Sequence, residues 1–453
     1  MRLLALLLVV VAGLLFTVAE PLGPRVELST PPDVVGAATP LRLVARDRGT
    51  GLAAVAVRVV PQGATEPVIL ARQDFPATSW YGSGVHEATL APVLDVAKSR
   101  LPEGPATLEV WARDYSWLSA LRRRPVLTRP ITIDTTPPTL EVLSARHVAR
   151  LGGSESIVYR VSDDATSSGV QVGELFFPGT RGYFADPTLR AALFAVPESQ
   201  PDAQVKAIAT DAGGNQRRVP LDLVVKPRKF ADKTLTVDDD FLRRKIPDLL
   251  RDNGLPSSDD LVQGYLRVNR ELRQATEARV RDLCQASDPA ARWQGSLLRM
   301  PNTAPLSGFA DRRTYLHDGT VIDHQTHLGF DLASLKTSPV PAAAAGRVVF
   351  VGPLGIYGTT VILDHGLGLF TLYGHLSSTS VAAGASVARG DTIGRTGETG
   401  LAGGDHLHFS VMIHGTHVDP VEWWDPHWIQ DHVDARLAPY AKASPPATAE
   451  KPS

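Results

Sequence analysis

From residue 24 to about residue 228 the chain never runs far without a break. Short stretches of alternating apolar and polar residues, "LRLVARD", "AAVAVRVV", "ATLEVWARD", "ESIVYRVSD" and "AQVKAIATD", are separated by clusters of Gly, Pro, Asp and Ser. A period of two with frequent turn signals is the pattern of short strands with one buried face. It leaves no room for long helices over this half of the chain. Similar punctuation returns beyond residue 340 in "GRVVFVG", "TTVILDHG", "GLFTLYGHLS" and "HLHFSVMI". The expected fold is therefore mainly β.

A weak internal repeat divides the first half. "LVARDRGTGLAAVAV" (43–57) parallels "YRVSDDATSSGVQVGEL" (159–175), and "LEVWARDYS" (108–116) parallels "VKAIATDAGGN" (205–215). Each pairs a strand ending in Asp with a Gly or Ser turn. "DTTPPTLEV" (134–142) looks like the join, and it resembles the boundary between immunoglobulin-like modules of bacterial surface proteins. Two Ig-like β-sandwiches are expected, at 24–136 and 137–228. The turn aspartates Asp47, Asp114, Asp163, Asp164 and Asp211 suit local hydrogen bonding, with calcium binding the lesser reading.

Residues 231–298 change period. "DDDFLRRKIPDLLRDNG" begins with acids and ends in Asn253-Gly254, a helix with a stop signal. "SSDDLVQGYLRVNRELRQATEARVRDLC" sets Leu261, Tyr265, Val268, Leu272 and Ala275 on one stripe. This is an amphipathic helical connector, expected to pack within the chain.

The N-terminus bears on location. Residues 3–19, "LLALLLVVVAGLLFTVA", carry no charge, and the cleavage signal after them is poor. Residues 1–20 read as a signal anchor in the inner membrane, with a cleaved signal and secretion as the alternative. The rest would then lie in the cell envelope, facing the periplasm. One cysteine, Cys284, rules out an intrachain disulfide, and a net charge of −2 gives no electrostatic footprint for nucleic acid. Residues 437–453 read as a disordered tail.

Chemistry concentrates late in the chain. Eleven of the 13 histidines fall between His317 and His432, which marks this region as the reactive one. His327 and Asp331 stand four apart. His375 follows, and His406 and His408 share one face of a strand whose other face carries Leu407, Phe409 and Val411. A catalytic zinc needs three N or O ligands and an open position, so two imidazoles are to spare. The residue types alone do not say which.

Over residues 320–422 the motifs "H-L-G-F-D", "GRVVFVG", "YGTTVILDHG", "FTLYGHLS", "VARGDTIGRTGETG", "HLHFSV" and "G-HVDP" resemble the lysostaphin/LytM-type zinc metallopeptidases of peptidoglycan. The resemblance implies a compact antiparallel β-sheet or barrel metallopeptidase domain at 299–436. It implies Zn2+ on His327, Asp331 and His408, with His375 and His406 as catalytic non-ligands. It implies an endopeptidase whose substrate is peptidoglycan peptide, with cell-wall or division-complex proteins as further partners. The alternative is a non-hydrolytic protein that activates or recruits other wall hydrolases. Two departures stand out: Asp405 precedes the "HLH" run where the family has Pro, and Ser410 stands where Glu is frequent. Asp405 would raise the pKa of His406 if the side chains met, and otherwise points to solvent. His317, His324, His365, His414, His417, His427 and His432 read as surface or structural. Trp423, Trp424 and Trp428 read as a capping core rather than a groove. A biotinyl- or lipoyl-carrier reading of "AGASVARGDTIGRTG" fails, because residues 337–441 contain no lysine.

Overall fold

A computed structural model describes residues 20, 22–29, 32–79 and 82–441. The apolar run 3–19, expected as an anchor, lies outside them, as do residues 442–453 of the expected tail; its first residues instead close a helical segment, with Leu437 buried. Among the described residues no helix is long and apolar enough to cross a membrane. The protein is mainly β, as its alternation implies.

Two compact units emerge. The first holds residues to Pro138 together with 164–166 and 210–217. Its strands Arg25–Leu28, Leu43–Arg46 and Glu87–Leu90 form one sheet. A five-stranded sheet is centred on Gly104–Asp114 and Leu52–Pro61. Along Leu52–Pro61 every second residue from Val55 to Pro61 is buried. Val55, Val57 and Val59 meet Leu43, Ala45, Leu108 and Val110 in one core.

The second unit contains the remaining β-region, the connector and the histidine-rich region. In the connector, Asp238 caps the helix Asp239–Asp252 through its side chain, which accepts from the Phe241 amide at 2.7 Å. That helix stops at Asn253, as its sequence signal indicates. A second helical segment begins at Leu261 and ends at Leu283. Its buried stripe departs from the expected one. Tyr265, Val268 and Leu272 are buried, but the next buried residues are Thr276, Val280 and Cys284, while Ala275 is exposed. The cause is a π-turn at Val268–Leu272, which widens the helix and moves the stripe on by one position.

Those side chains do not form a separate core. Leu242, Ile246, Tyr265, Val268, Leu272 and Val280 pack with Ile356, Ile362, Phe370, Leu372 and Met412. The last four belong to an open antiparallel sheet that runs in the order Ala304–Ser307, Phe330–Ala333, Leu407–Ile413, Leu369–Gly374, Thr359–Asp364, Gly346–Pro353, Ser386–Val387. The expected β-sheet is thus present, but it does not close into a barrel. The connector lies over the sheet face that carries His408 and Met412, so both faces are buried and every residue of Leu407–Ile413 is inaccessible.

The second β-region also joins this unit directly. Ser154 donates its amide to Glu422 Oε2 at 2.9 Å, and Trp423 Nε1 donates to Ser154 Oγ at 3.0 Å. Trp423 is fully buried and Trp424 stacks on Phe409. The tryptophans therefore cap the core.

Candidate active site

Strand pairing creates the centre. Asp331 on Phe330–Ala333 lies directly opposite His408 on Leu407–Ile413, and Gly374 faces His408 from the other side. His375 follows at the end of Leu369–Gly374, and His406 precedes Leu407. His327 sits in the turn before Phe330, its amide and carbonyl tied to Asp311 and Ala310 at 3.0 and 2.7 Å. All five side chains expected from the sequence line one cleft.

Three of them form a triangle. His327 Nε2 lies 3.1 Å from Asp331 Oδ1 and 3.1 Å from His408 Nδ1, and His408 Nδ1 lies 3.0 Å from Asp331 Oδ1. The remaining ring nitrogens explain why these atoms face one another. His327 Nδ1–H donates to the Gly308 carbonyl at 2.8 Å, and His408 Nε2–H donates to Ser410 Oγ at 3.0 Å. The Ser410 hydroxyl in turn donates to the Leu328 carbonyl at 2.8 Å. With both rings neutral, three lone pairs would converge with no hydrogen among them. Such an arrangement repels itself unless a cation joins it. Two tetrahedral zinc bonds of about 2.0–2.1 Å span about 3.3 Å, close to the sides of this triangle. The donor set therefore fits zinc, and these residues form a group able to hold a metal.

Asp331 has a divided role. Its Oδ1 joins the triangle while Oδ2 accepts from Arg313 at 2.9 Å. Burial works against its charge, but His327, His406 and His408 hold its carboxyl well below the usual range. Gly329 makes room for the site: a Cβ there would lie 2.4 Å from the His408 ring. Any side chain at this position displaces the His408 ring.

The other two imidazoles are oriented by carbonyls. His375 Nδ1–H donates to Thr399 O at 2.8 Å, and His406 Nδ1–H donates to Gly404 O at 2.8 Å. Their rings lie 4.8 Å apart. Burial, then His406 and His408, push the His375 pKa well down, so its ring is neutral. Burial also works against charge on His406, but Asp331, 3.5 Å from its Nε2, outweighs it and the pKa is raised. Asp405 makes no hydrogen bond to His406. Its Oδ2 instead accepts from the Thr337 amide at 3.1 Å. His375 adopts φ 61°, a left-handed conformation uncommon outside glycine and asparagine. Its amide is held by Tyr357 O at 2.7 Å.

Several contributors were not visible as motifs. Tyr357 lies over His408 with ring centroids 4.8 Å apart. Its hydroxyl donates to Glu277 Oε1 at 2.7 Å, and Glu277 Oε2 faces His417 Nε2 at 2.9 Å. Glu277 comes from the connector. Burial opposes its charge, yet His417 and Tyr357 bring its pKa down to about 2. A depressed carboxylate adds stability above its unfolded pKa of 4.5 that is lost as pH falls toward 2. Glu277→Ala is expected to cost about 3–5 kcal/mol at neutral pH, since it strands His417 in the interior. Denaturant melts of parent and variant, repeated from pH 7 down to about pH 3, should show the gap narrowing below pH 4.5.

The remaining histidines are mostly structural. His365 is buried between Ala345 O and Thr371 Oγ1, at 2.8 and 2.7 Å, and burial lowers its pKa to about 4. His432 meets Glu155 at 3.0 Å, and His427 is exposed.

The cleft measures about 630 Å³. One wall is the connector, through Lys233, Leu235, Phe241, Arg244, Tyr265 and Arg273; Leu306 and Arg313 flank the five site residues.

Residues 325–420 match the model of peptidase family M23. The DD-carboxypeptidase/endopeptidase Mpg of Neisseria meningitidis is 44% identical over 95 residues, 21% of this chain and 22% of that protein. The peptidoglycan DD-endopeptidase ShyB of Vibrio cholerae is 33% identical over 116 residues, 26% of each. The match thus spans only about a quarter or less of these relatives. The catalytic domain of lysostaphin from Staphylococcus simulans aligns with a TM-score of 0.25 and 27% identity, covering 28% of this chain and 96% of that domain. Family match and strand-built ligand triangle fall on the same stretch, and residues 325–420 are a peptidase family M23 domain.

Proposed function

We propose that this protein is a zinc-dependent endopeptidase that hydrolyses peptide bonds of bacterial peptidoglycan in the cell envelope, with residues 3–19 as its membrane anchor. The observation that carries this reading is the convergence of three donor atoms, on His327, Asp331 and His408, in a cleft that also holds two oriented imidazoles. The names of the relatives support the substrate class.

His327, Asp331 and His408 would hold the zinc, which would lower the pKa of a bound water toward 7 and polarise the scissile carbonyl. The chain's own residues do the rest. His375, neutral and fixed through Nδ1, presents Nε2 as the acceptor for the proton of the attacking water. His406, the more readily protonated of the pair, donates to the oxygen on which negative charge develops. Arg313 holds the second oxygen of Asp331 and so fixes the carboxylate's orientation. The connector wall supplies apolar and cationic surface, with Leu235 and Phe241 beside Lys233 and Arg244, suited to a peptide that carries carboxylates.

The test is digestion of purified sacculi by the zinc-loaded full chain, with products separated and weighed. Soluble muropeptides with a cleaved peptide, lost on chelation, are expected. If zinc is bound and sacculi stay intact, the hydrolytic reading is wrong and a recruiting or activating protein replaces it.

A further inference from the structure

A second group of carboxylates, in the first unit, takes no part in this chemistry. Glu20, Asp47 and Asp114 each place an oxygen within 4.8 Å of the others. Asp47 and Asp114 are 3% and 4% exposed. They stand where Leu43–Arg46 and Gly104–Asp114 end. Among the described residues only one of the three charges is balanced: Arg122 pairs with Asp114 and donates to the Glu20 carbonyl at 2.7 Å. Two negative charges are left over.

The carboxylates are held from behind. Asp47 Oδ2 accepts from the amides of Gly49 and Gly51 at 3.2 and 2.7 Å. Glu20 Oε2 accepts from the amide and hydroxyl of Thr50 at 2.9 and 3.0 Å. Asp114 Oδ1 accepts from the amide and hydroxyl of Ser116 at 3.2 and 2.7 Å. The independent observation is Asp47 Oδ1. It is sealed from solvent and accepts a hydrogen bond from no described group. Asp47 has a carboxylate oxygen within 4.8 Å of those of Glu20 and Asp114, and burial, then the repulsion of Glu20, raise its pKa. An orphaned carboxylate oxygen in that position is costly without a cation.

We propose that Glu20, Asp47 and Asp114 bind one calcium ion. All-oxygen donors select a hard cation over zinc. Oxygens at about 2.4 Å from a shared calcium lie at most about 4.8 Å apart, the limit these three meet. One divalent ion also cancels the two charges that Arg122 leaves. Three protein carboxylates are few for calcium, which takes six to eight oxygens, so the affinity belongs with extracellular modules, Kd about 10⁻⁴–10⁻³ M. Binding ties residue 20 to the ends of two strands and stabilises the unit by mass action.

The test titrates calcium chloride, with magnesium chloride alongside, into the zinc-loaded full chain, and follows calorimetric heat and the melting temperature. One equivalent of calcium and a melting point that climbs with calcium are expected. Asp47→Asn should lose both, while melting no lower than the parent without calcium, because it removes like-charge repulsion. His408→Ala should keep both, which separates this site from the zinc centre. If Asp47→Asn does not fold, Glu20→Gln decides by the same loss. No response up to about 10 mM, tenfold above the weakest such modules, overturns the proposal. So does an unchanged response in the variants, and an equal response to magnesium overturns the choice of ion.

Discussion

Replacing His408 by alanine is expected to abolish both metal retention and turnover. The ring is the hub of the site: Nδ1 meets Asp331 and His327, Nε2 is anchored on Ser410, and Tyr357 lies over its face. Two ligands remain after the substitution, too few to keep zinc from solvent chelators. Outer-sphere partners of metal sites cost about 10–100-fold in affinity when removed, and loss of a ligand should exceed that. Fold should persist, since the sheet and connector pack through Phe370, Leu372 and Met412. Zinc content after dialysis, sacculus digestion and a melting curve check all three parts. A variant that retains one zinc per chain and cuts at the parental rate would remove His408 from the ligand set.

His375→Ala is expected to do something different: leave zinc bound and lower kcat by about 10²–10⁴-fold, the range of a lost general acid–base group. KM should change little. The backbone offers a control. His375 holds φ 61°, a conformation that asparagine tolerates better than alanine. His375→Asn therefore eases the chain while removing the proton acceptor. Both variants should lose turnover alike, with zinc content unchanged. Restored activity in the asparagine variant would make the role of His375 conformational rather than chemical.

Much of this was legible in the residues, for physical reasons. Period-two alternation marks strands because one face must be buried, and the mainly β fold follows. Asn253-Gly254 stops a helix because the backbone there leaves the helical region, and the helix Asp239–Asp252 ends on it. Histidine and aspartate stand out by type, so His327, Asp331, His375, His406 and His408 could be named. Their anchors could not. The carbonyls of Gly308, Thr399 and Gly404 belong to the backbone, which every residue has, and only the folded path selects them. Glu277 and Tyr357 meet across 80 residues, and a surface glutamate on an amphipathic helix has the same local sequence as this buried one. The shifted stripe of the connector was hidden for another reason: a π-turn adds a residue without any residue type announcing it.

The connector wall of the cleft has an evolutionary consequence. A gene fragment that moved residues 325–420 alone would carry the ligand set and the strands that aim it. It would leave behind Glu277, Phe241, Arg244 and Arg273, and expose Ile356, Ile362, Phe370 and Met412 to water. The recipient would acquire the histidine centre without one wall of its cleft, and with a sheet face prone to aggregate. The transplantable cassette in this protein is therefore longer than its family signature and begins near residue 231. Changes in the helical segment can reshape the cleft while His327, Asp331 and His408 stay in place.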